Sequence, residues 1–170
     1  MEGATATMAS DNEFEQEFNY VNLQEVDPNL KAIDEDVYTL KVIKLAIQKK
    51  ADFDGTLKPN LSARFGVTNH EKFSGRTLWH TFWQIQDNDS FDAKALRRIA
   101  DATGTPATGG LPAWVEDMNS AQPEFKVQVK KGPPTKWNKE TREREVKVGP
   151  DGNPLPDINV INFWNVSIAG

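Results

Sequence analysis

Residues 75–85 constrain the fold most, because this segment has the composition of a β-strand. β-branched and aromatic residues dominate it, and neither Pro nor an interior Gly interrupts it. It contains two of the five tryptophans, Trp79 and Trp83, and Arg76 directly follows its opening glycine. Strand-like segments lie on both sides of it, so we predict that it is the third of five strands.

Three other segments have the patterning of strands. Residues 61–68 and residues 125–131 alternate between apolar and polar positions, which is typical of a strand with one buried face. Residues 158–168 form the predicted fifth strand. Between the fourth and fifth strands, residues 135–156 form a long connection that is rich in charge, Pro and Gly, with room for a poorly packed hairpin.

Residues 37–50 form the predicted first strand, although their apolar positions change phase. Alternation follows one parity up to Val42 and the other parity from Ile43. Such a change predicts a β-bulge, which small barrels need in order to close. A helix over residues 38–49 is the alternative, because polar residues recur there at a spacing of about 3.6.

Two helices are predicted between the third and fourth strands. Asp89 or Ser90 can cap the first helix, Gly104 suits its C′ position, and Pro106 prevents its continuation. Residues 111–118 form a short second helix with a proline near its first position. The predicted apolar stripe of the first helix consists of Ala95, Leu96, Ile99 and Ala102.

The order of elements predicts a mainly β fold. Three strands, a helix and two strands are the layout of the OB-fold, a five-stranded Greek-key barrel. Its binding face spans strands two and three, flanked by the connections between strands one and two and between strands four and five. We therefore predict an OB-fold nucleic-acid-binding domain over residues 37–170. A generic α+β antiparallel sheet with one helix on a face is the alternative.

Residues 1–36 form an acidic arm with ten acidic residues and one basic residue, a net charge of −9. The remaining 134 residues carry +4, so the chain's net charge of −5 hides an asymmetry. This composition predicts a disordered arm. Alternatively, the arm mimics nucleic acid, or docks a basic partner such as a replication or recombination protein through its scattered aromatic residues.

The composition also limits the cellular compartment and the catalytic or metal chemistry that we expect for this protein. The absence of Cys excludes disulfides and fits a reducing cytoplasm. No apolar run approaches the ~20 residues needed to cross a bilayer, and the acidic N-terminus does not have the pattern of a secretory signal. The two histidines lack metal-ligand spacing, so we expect no enzyme activity, no metal and no cofactor.

The region from residue 126 to residue 147 is the most basic part of the chain. It holds eight basic and three acidic residues, and Trp137 lies inside it between Lys136 and Lys139. Cations that follow phosphates beside a ring that stacks on a base are typical of single-strand binding. The alternative is a solvated hairpin whose tryptophan packs back on the barrel. The predicted binding residues of this region are Lys130, Lys131, Lys136, Trp137, Lys139, Arg142 and Arg144.

The third strand provides the second candidate surface. Trp79 and Trp83 share one face, whereas Arg76, Leu78, His80 and Phe82 share the other. If Leu78 and Phe82 point inward, the two tryptophans stand on the outer surface near Arg64 as a stacking platform. If the tryptophan face is core, Arg76 and His80 line the groove instead. Trp114 and Trp164 are predicted to be core residues.

Three short motifs resemble those of a known family: the run 73–82, a helix ending at residues 97–104, and the terminal run 159–163. Together with a Lys-rich fourth strand, they resemble phage-encoded single-stranded DNA-binding proteins of OB-fold type. The resemblance covers about residues 37–168. It implies sequence-independent binding of single-stranded DNA in phage replication or recombination. Such proteins commonly carry their acidic tail at the C-terminus, whereas the acidic residues of this chain lie at the other end.

A second hypothesis comes from a different class of protein. The chain is then a non-catalytic interaction or virion-structural protein that uses the β-barrel as a scaffold and the acidic arm as a docking peptide. Quenching of tryptophan fluorescence by single-stranded DNA discriminates between the two, because only the DNA-binding protein predicts it.

Overall fold

The computed structural model describes residues 31–51, 54–105 and 109–169. A compact unit begins at Ala32, so the last five residues of the predicted arm belong to it. Ile33 is fully buried in its core, and the backbone N–H of Ile33 donates to Asn159 Oδ1 at 2.9 Å. The prediction of disorder for residues 1–30 lies outside the described residues.

The fold of the described residues is mainly β. Five long strands form one antiparallel sheet in the order β3-β2-β1-β4-β7, and two short strands, β5 and β6, form a separate hairpin. The elements in chain order are β1 (Asp36–Ala51), β2 (Leu57–Thr68), β3 (Thr77–Phe82), α1 (Phe91–Thr103), α2 (Leu111–Ala121), β4 (Glu124–Gly132), β5 (Thr135–Asn138), β6 (Glu143–Val146) and β7 (Ile158–Ile168). The predicted order of strands and helices is confirmed.

The sheet is not closed into a barrel by backbone pairing, because β3 and β7 remain its two edges. Side chains nevertheless connect these edges. The Phe163 ring of β7 lies 4.8 Å from the His80 ring and 5.1 Å from the Phe82 ring of β3, measured between centroids. We call this line of contact between β3 and β7 the seam.

The predicted bulge in β1 is confirmed. The register between β1 and β2 shifts between Val42 and Lys44, so Leu40, Val42 and Leu45 all lie in the core. The helical alternative for this segment is therefore wrong. β2 begins four residues earlier than predicted, at Leu57. Its first residues, Leu57–Pro59, pair with Lys49–Ala51 at the end of β1, and we call this projecting pair of strand ends the β1–β2 ribbon. No apolar alternation marks it in the sequence.

β3 is shorter than the predicted segment 75–85. Gly75 has a φ of +88°, a turn conformation that ends strand geometry on that side. On the other side the backbone is bonded to the start of α1. The N–H of Gln84 donates to Asp92 Oδ2 at 2.8 Å, and Ser90 Oγ donates to the Gln84 carbonyl at 2.5 Å.

Both helices form where they were predicted. Ser90 caps α1 by accepting a hydrogen bond from the Ala93 N–H at 3.1 Å, and Gly104 ends it with a left-handed φ of 67°. α1 packs against β7 and α2 against β1. The Asn119 side chain bonds both backbone groups of Leu45, at 2.7 and 2.8 Å, and so ties α2 to β1.

The core lies between the inner face of the sheet and the buried sides of the helices. Aromatic rings fill its centre: Phe65 contacts Phe125 edge-on at 5.5 Å and Phe163 at 6.5 Å. The largest fully buried side chains are Tyr38, Phe65, Phe82, Phe125, Phe163, Ile33, Leu40, Leu61, Ile99 and Met118. This single core places the opposite faces of β2 and β3 at the surface.

Candidate nucleic-acid interface

Two exposed tryptophans lie on and directly after β3: Trp79 within the strand and Trp83 one residue beyond its end. Leu78 and Phe82 are buried, whereas Trp79 is 67% exposed and Trp83 is 42% exposed. This confirms the inward orientation of Leu78 and Phe82. Large aromatic side chains on a sheet surface are uncommon without a partner that covers them, so these two rings are candidates for contact with a ligand.

Arg64 of β2 lies beside this face. It is the cross-strand partner of Trp79, and its Cζ lies 5.5 Å from the centroid of the Trp79 ring. A guanidinium within about 6 Å of an indole face is attracted to the ring. The pair therefore presents a positive charge and a flat π surface side by side, which is the first of the two arrangements that the sequence left open.

Arg76 and His80 lie on the other side of β3. Both are half-buried and share the parity of the buried Leu78. Burial lowers the pKa of His80, while the carboxylate of Asp92 opposes that shift. Arg76, predicted as a binding residue, is therefore not brought to the face that carries Trp79.

The β5–β6 hairpin forms the predicted basic surface. Trp137 pairs across it with Arg144 and is 51% exposed, so it does not pack back fully on the sheet. The side chain of Asn138 holds the turn, because its Oδ1 accepts from the N–H groups of Glu140 and Thr141 at 2.9 and 3.2 Å. The basic residues are therefore carried on a defined turn.

The remaining predicted cations of this region occupy different settings. Lys139 and Arg142 lie in the hairpin turn, where Arg142 has a left-handed φ of 57°. Arg144 donates from Nη1 to Thr135 Oγ1 at 3.3 Å. Lys130 is exposed near the end of β4. All four lie on or next to the connection between β4 and β7.

Lys131 is partly engaged by the acidic entry to β1. Its backbone N–H donates to Glu35 Oε1 at 2.9 Å, and its Nζ lies 3.9 Å from Asp34 Oδ1. An exposed ion pair of this length contributes only about 0–1 kcal/mol. A phosphate can therefore exchange for Asp34 at little cost.

A groove of about 660 Å³ joins the two predicted surfaces. Trp83 and Gln84 line one side of it, and Thr135, Lys136 and Lys147 line the side formed by the hairpin. Ala51 and Lys58 from the two strands of the β1–β2 ribbon complete the lining. Among the described residues that line it there are three lysines and no acidic residue. The structure thus brings together Trp83 and Lys136, which are separated by more than fifty positions in the chain.

Lys58 is a lining residue that the sequence analysis did not select. It lies between the predicted first and second strands, next to the Asp54-Gly55 pair that is typical of a turn, and nothing in its immediate neighbourhood marks it. The available signal was its position in the connection between strands one and two, which flanks the binding face of an OB-fold.

The prediction that Trp164 is a core residue is wrong, because its side chain is 60% exposed. Ile161 and Phe163 of β7 are buried, whereas Val160, which shares the alternation of Trp164, is 49% exposed, so the core side of β7 is the opposite one. β7 also contains an enlarged bulge. Val166 pairs with Val127, yet the next pair is Asn162 with Gln128, so three extra residues, 163–165, lie between them. Gln128 Oε1 accepts from the side chains of Asn162 and Asn165 at 3.1 and 3.0 Å. Phe163 takes the buried position instead.

Trp114 is buried in α2, as predicted.

Two further features of the described residues concern metal binding and membrane crossing. No group of three or more His, Asp or Glu side chains converges there as a metal site would require. No helix in the described part of the chain is long and apolar enough to cross a bilayer.

Comparison of the chain with protein-family models, curated proteins and solved structures found no match. The resemblance to phage single-stranded DNA-binding proteins therefore stays a prediction. The candidate interface is defined by its own geometry.

Proposed function

We propose that the chain is a sequence-independent single-stranded DNA-binding protein that acts by phosphate contacts and base stacking. One observation carries the proposal: an outer sheet face with two exposed tryptophans continues into a groove lined by three lysines. Single-strand binding proteins combine a positively charged groove with stacking side chains, and each stacked base contributes about 1–3 kcal/mol. Such contacts do not depend on the base sequence of the DNA, because every base has a flat face and every nucleotide has a phosphate.

The topology supports an OB-fold as part of this proposal. β1 lies between β2 and β4, β7 lies beside β4, and α1 follows β3 in the chain. This is the layout of a five-stranded barrel that is partly open between its third and fifth strands. The β1–β2 ribbon and the β5–β6 hairpin are then the two connections that flank the binding face of an OB-fold, and both line the groove.

The charge distribution favours an anionic ligand despite the net charge of −5 for the whole chain. Residues 1–36 carry a net charge of −9 and the remaining residues carry +4, and the groove itself is lined by lysines. Binding that depends on a few lysines releases few counterions. We therefore expect affinity that falls with salt along a modest slope, about −0.7 per neutralised phosphate.

The phage resemblance supplies the setting of the proposal. It places the protein in the cytoplasm of a bacterial host during phage DNA replication or recombination, with the acidic arm as a docking site for other proteins of that process. A non-catalytic interaction or virion-structural role is the competing proposal, and it does not require DNA to touch Trp79 or Trp83.

Titration of the intrinsic tryptophan fluorescence with oligo-dT at two salt concentrations tests the function. We expect quenching that saturates, weakens at the higher salt, and changes little when a mixed-sequence oligonucleotide replaces oligo-dT. Lys136→Gln should lower the salt slope by about 0.7, because one phosphate contact is lost. Lys72→Gln is the matched control, since Lys72 is exposed and does not line the groove. Unchanged fluorescence at low salt would rule out the proposed function.

A further inference from the structure

A second exposed aromatic pair lies on the other side of the seam. Trp164 of β7 and Phe91, the first residue of α1, have ring centroids 5.3 Å apart. Phe91 is 42% exposed, and neither ring belongs to the core. The β7 bulge and the start of α1 thus hold two flat apolar side chains together in solvent.

Arg98 of α1 adds a positive charge to this pair. Its Cζ lies only 4.0 Å from the centroid of the Trp164 ring, closer than Arg64 lies to Trp79. Within the described part of the chain, its Nη1 is buried without a hydrogen-bond partner. A guanidinium this close to the ring holds the indole in place, and the Trp164 side chain nevertheless remains 60% exposed.

The acidic residues nearest to Arg98 on α1 are engaged elsewhere. Asp101 Oδ1 accepts from Arg97 Nε at 2.9 Å, and Asp92 Oδ2 accepts from the Gln84 N–H at 2.8 Å. Neither carboxylate is bonded to Arg98. Asp101 lines the same surface pocket as Arg98, but Arg97 balances its charge, so Arg98 supplies the uncompensated positive charge beside Trp164 that an anionic ligand requires.

The two Arg–Trp pairs flank the same seam. His80 and Phe163 meet across it on the inner side at 4.8 Å. Their chain neighbours, Trp79 and Trp164, are both exposed, and Trp164 lies against α1 through Phe91 and Arg98. The bond from Ser90 Oγ to the Gln84 carbonyl also holds the start of α1 against the end of β3.

We infer that Trp164 and Arg98 form a second stacking site for single-stranded DNA, reached by a strand that crosses the seam from the Trp79 face. Trp164 stacks a base on its exposed part, and Arg98 attracts the adjacent phosphates. This inference rests on the proposed function and extends it, because it assigns β7 and α1, which the sequence analysis left out, to the binding surface.

The test compares four proteins in titrations with oligo-dT of about 16 nucleotides, the upper site size of a single OB-fold. Trp164→Ala should weaken binding about 5- to 150-fold, the range expected for the loss of one stacked base. Arg98→Gln should weaken it several-fold. Arg97→Gln is the matched control for Arg98, because it removes the same charge from the neighbouring residue, which is paired with Asp101. It should bind like the wild type.

A second measurement does not depend on whether the variants fold. Ultraviolet crosslinking of the wild-type protein to oligo-dT, followed by mass spectrometry, should identify crosslinked peptides that contain Trp164 as well as Trp79. Crosslinks confined to peptides with Trp79, Trp83 or Trp137 would overturn the inference.

The outcomes separate the inference from the function on which it rests. If the wild type binds oligo-dT and the Trp164 and Arg98 variants bind like Arg97→Gln, the inference is wrong and the proposed function stands. If the wild type does not bind at all, both fail. If Trp164→Ala instead halves the mass measured by sedimentation without DNA, the patch is an interface between two copies of the chain, and the inference is again wrong.

Discussion

The five-stranded sheet and the β5–β6 hairpin use their side chains in opposite ways. In the sheet, alternate residues of β1, β2 and β4 are fully buried, and one face of each strand belongs to the core. In the hairpin, no residue of either strand is buried, and β6 is exposed along its whole length. The sheet is stabilised by its inner face, whereas the hairpin is held by cross-strand pairs and the Asn138 turn.

The residues that stabilise the fold and the residues of the candidate binding surface therefore lie in different parts of the chain. A substitution in the core of the sheet should change the free energy of unfolding and should affect binding only as a consequence. A substitution in the hairpin should change the binding of a ligand and leave unfolding almost untouched. Each of the following predictions addresses one side of that contrast.

Phe163→Ala should have the largest effect, because this ring is buried at the seam and contacts His80, Phe82 and Phe65. Truncation of a buried Phe typically costs about 3–5 kcal/mol of unfolding free energy. Urea denaturation followed by circular dichroism measures this cost. Trp137→Ala is the control and should stay within about 0.5 kcal/mol of the wild type, as surface substitutions usually do. Equal losses of unfolding free energy in the two variants would contradict the expected difference between the sheet and the hairpin.

Trp137→Ala should have the next largest effect, but on binding. If Trp137 stacks on a base, its removal lowers the affinity for oligo-dT about 5- to 150-fold, with an unchanged melting temperature. Trp137→Phe keeps a flat ring and should recover most of the affinity. Neutralising Lys130 and Lys136 in addition should weaken binding further. Wild-type affinity in Trp137→Ala would remove the hairpin tryptophan from the binding surface.

The smallest predicted effect is a dependence of sheet stability on pH. Burial lowers the pKa of His80 below its unfolded value, so the unfolded chain takes up a proton more readily than the folded chain. Stability should therefore be full above the unfolded pKa of about 6.5 and should fall as pH drops below it. Thermal unfolding between about pH 7.5 and pH 5 measures the trend.

The control for that trend uses the other histidine of the chain. His80→Gln should abolish the part of the slope that comes from the seam. His70→Gln should preserve it, because His70 lies in the turn before β3, with its Nε2 3.4 Å from Asp36 Oδ2. The same slope in wild type and His80→Gln would show that the seam does not exclude the charged imidazole.

The sequence predicted the elements of the sheet well because alternation is a local property. The phase change after Val42 located the β1 bulge, and the cap at Ser90 and the stop at Gly104 located α1. The inward orientation of Leu78 and Phe82 was predicted as one of two possible faces. It became definite only when β3 was seen against its partner β2, since parity alone does not say which side is core.

Features that depend on two distant strands escaped prediction. Alternation alone does not say whether Ile161 and Phe163 or Val160 and Trp164 face the core. The extra residues 163–165 depend on how β7 registers with β4, and they leave no mark on a single-strand pattern. Lys58 and Lys147 line the groove because the β1–β2 ribbon and the hairpin meet near Trp83. Nothing in the residues around either lysine indicates that meeting. The basic composition of the hairpin was visible in the sequence, whereas the position of the groove was not.

The β7 bulge has a consequence for how this protein can vary. Its three added residues include Phe163, which fills the core at the seam, and Trp164, which stands in solvent on the other side. Deleting them to restore a regular ladder would remove a central core side chain and a surface aromatic in the same event. A deletion of these three residues would therefore change the stability of the core and the chemistry of the surface together, whereas single substitutions can change either one alone.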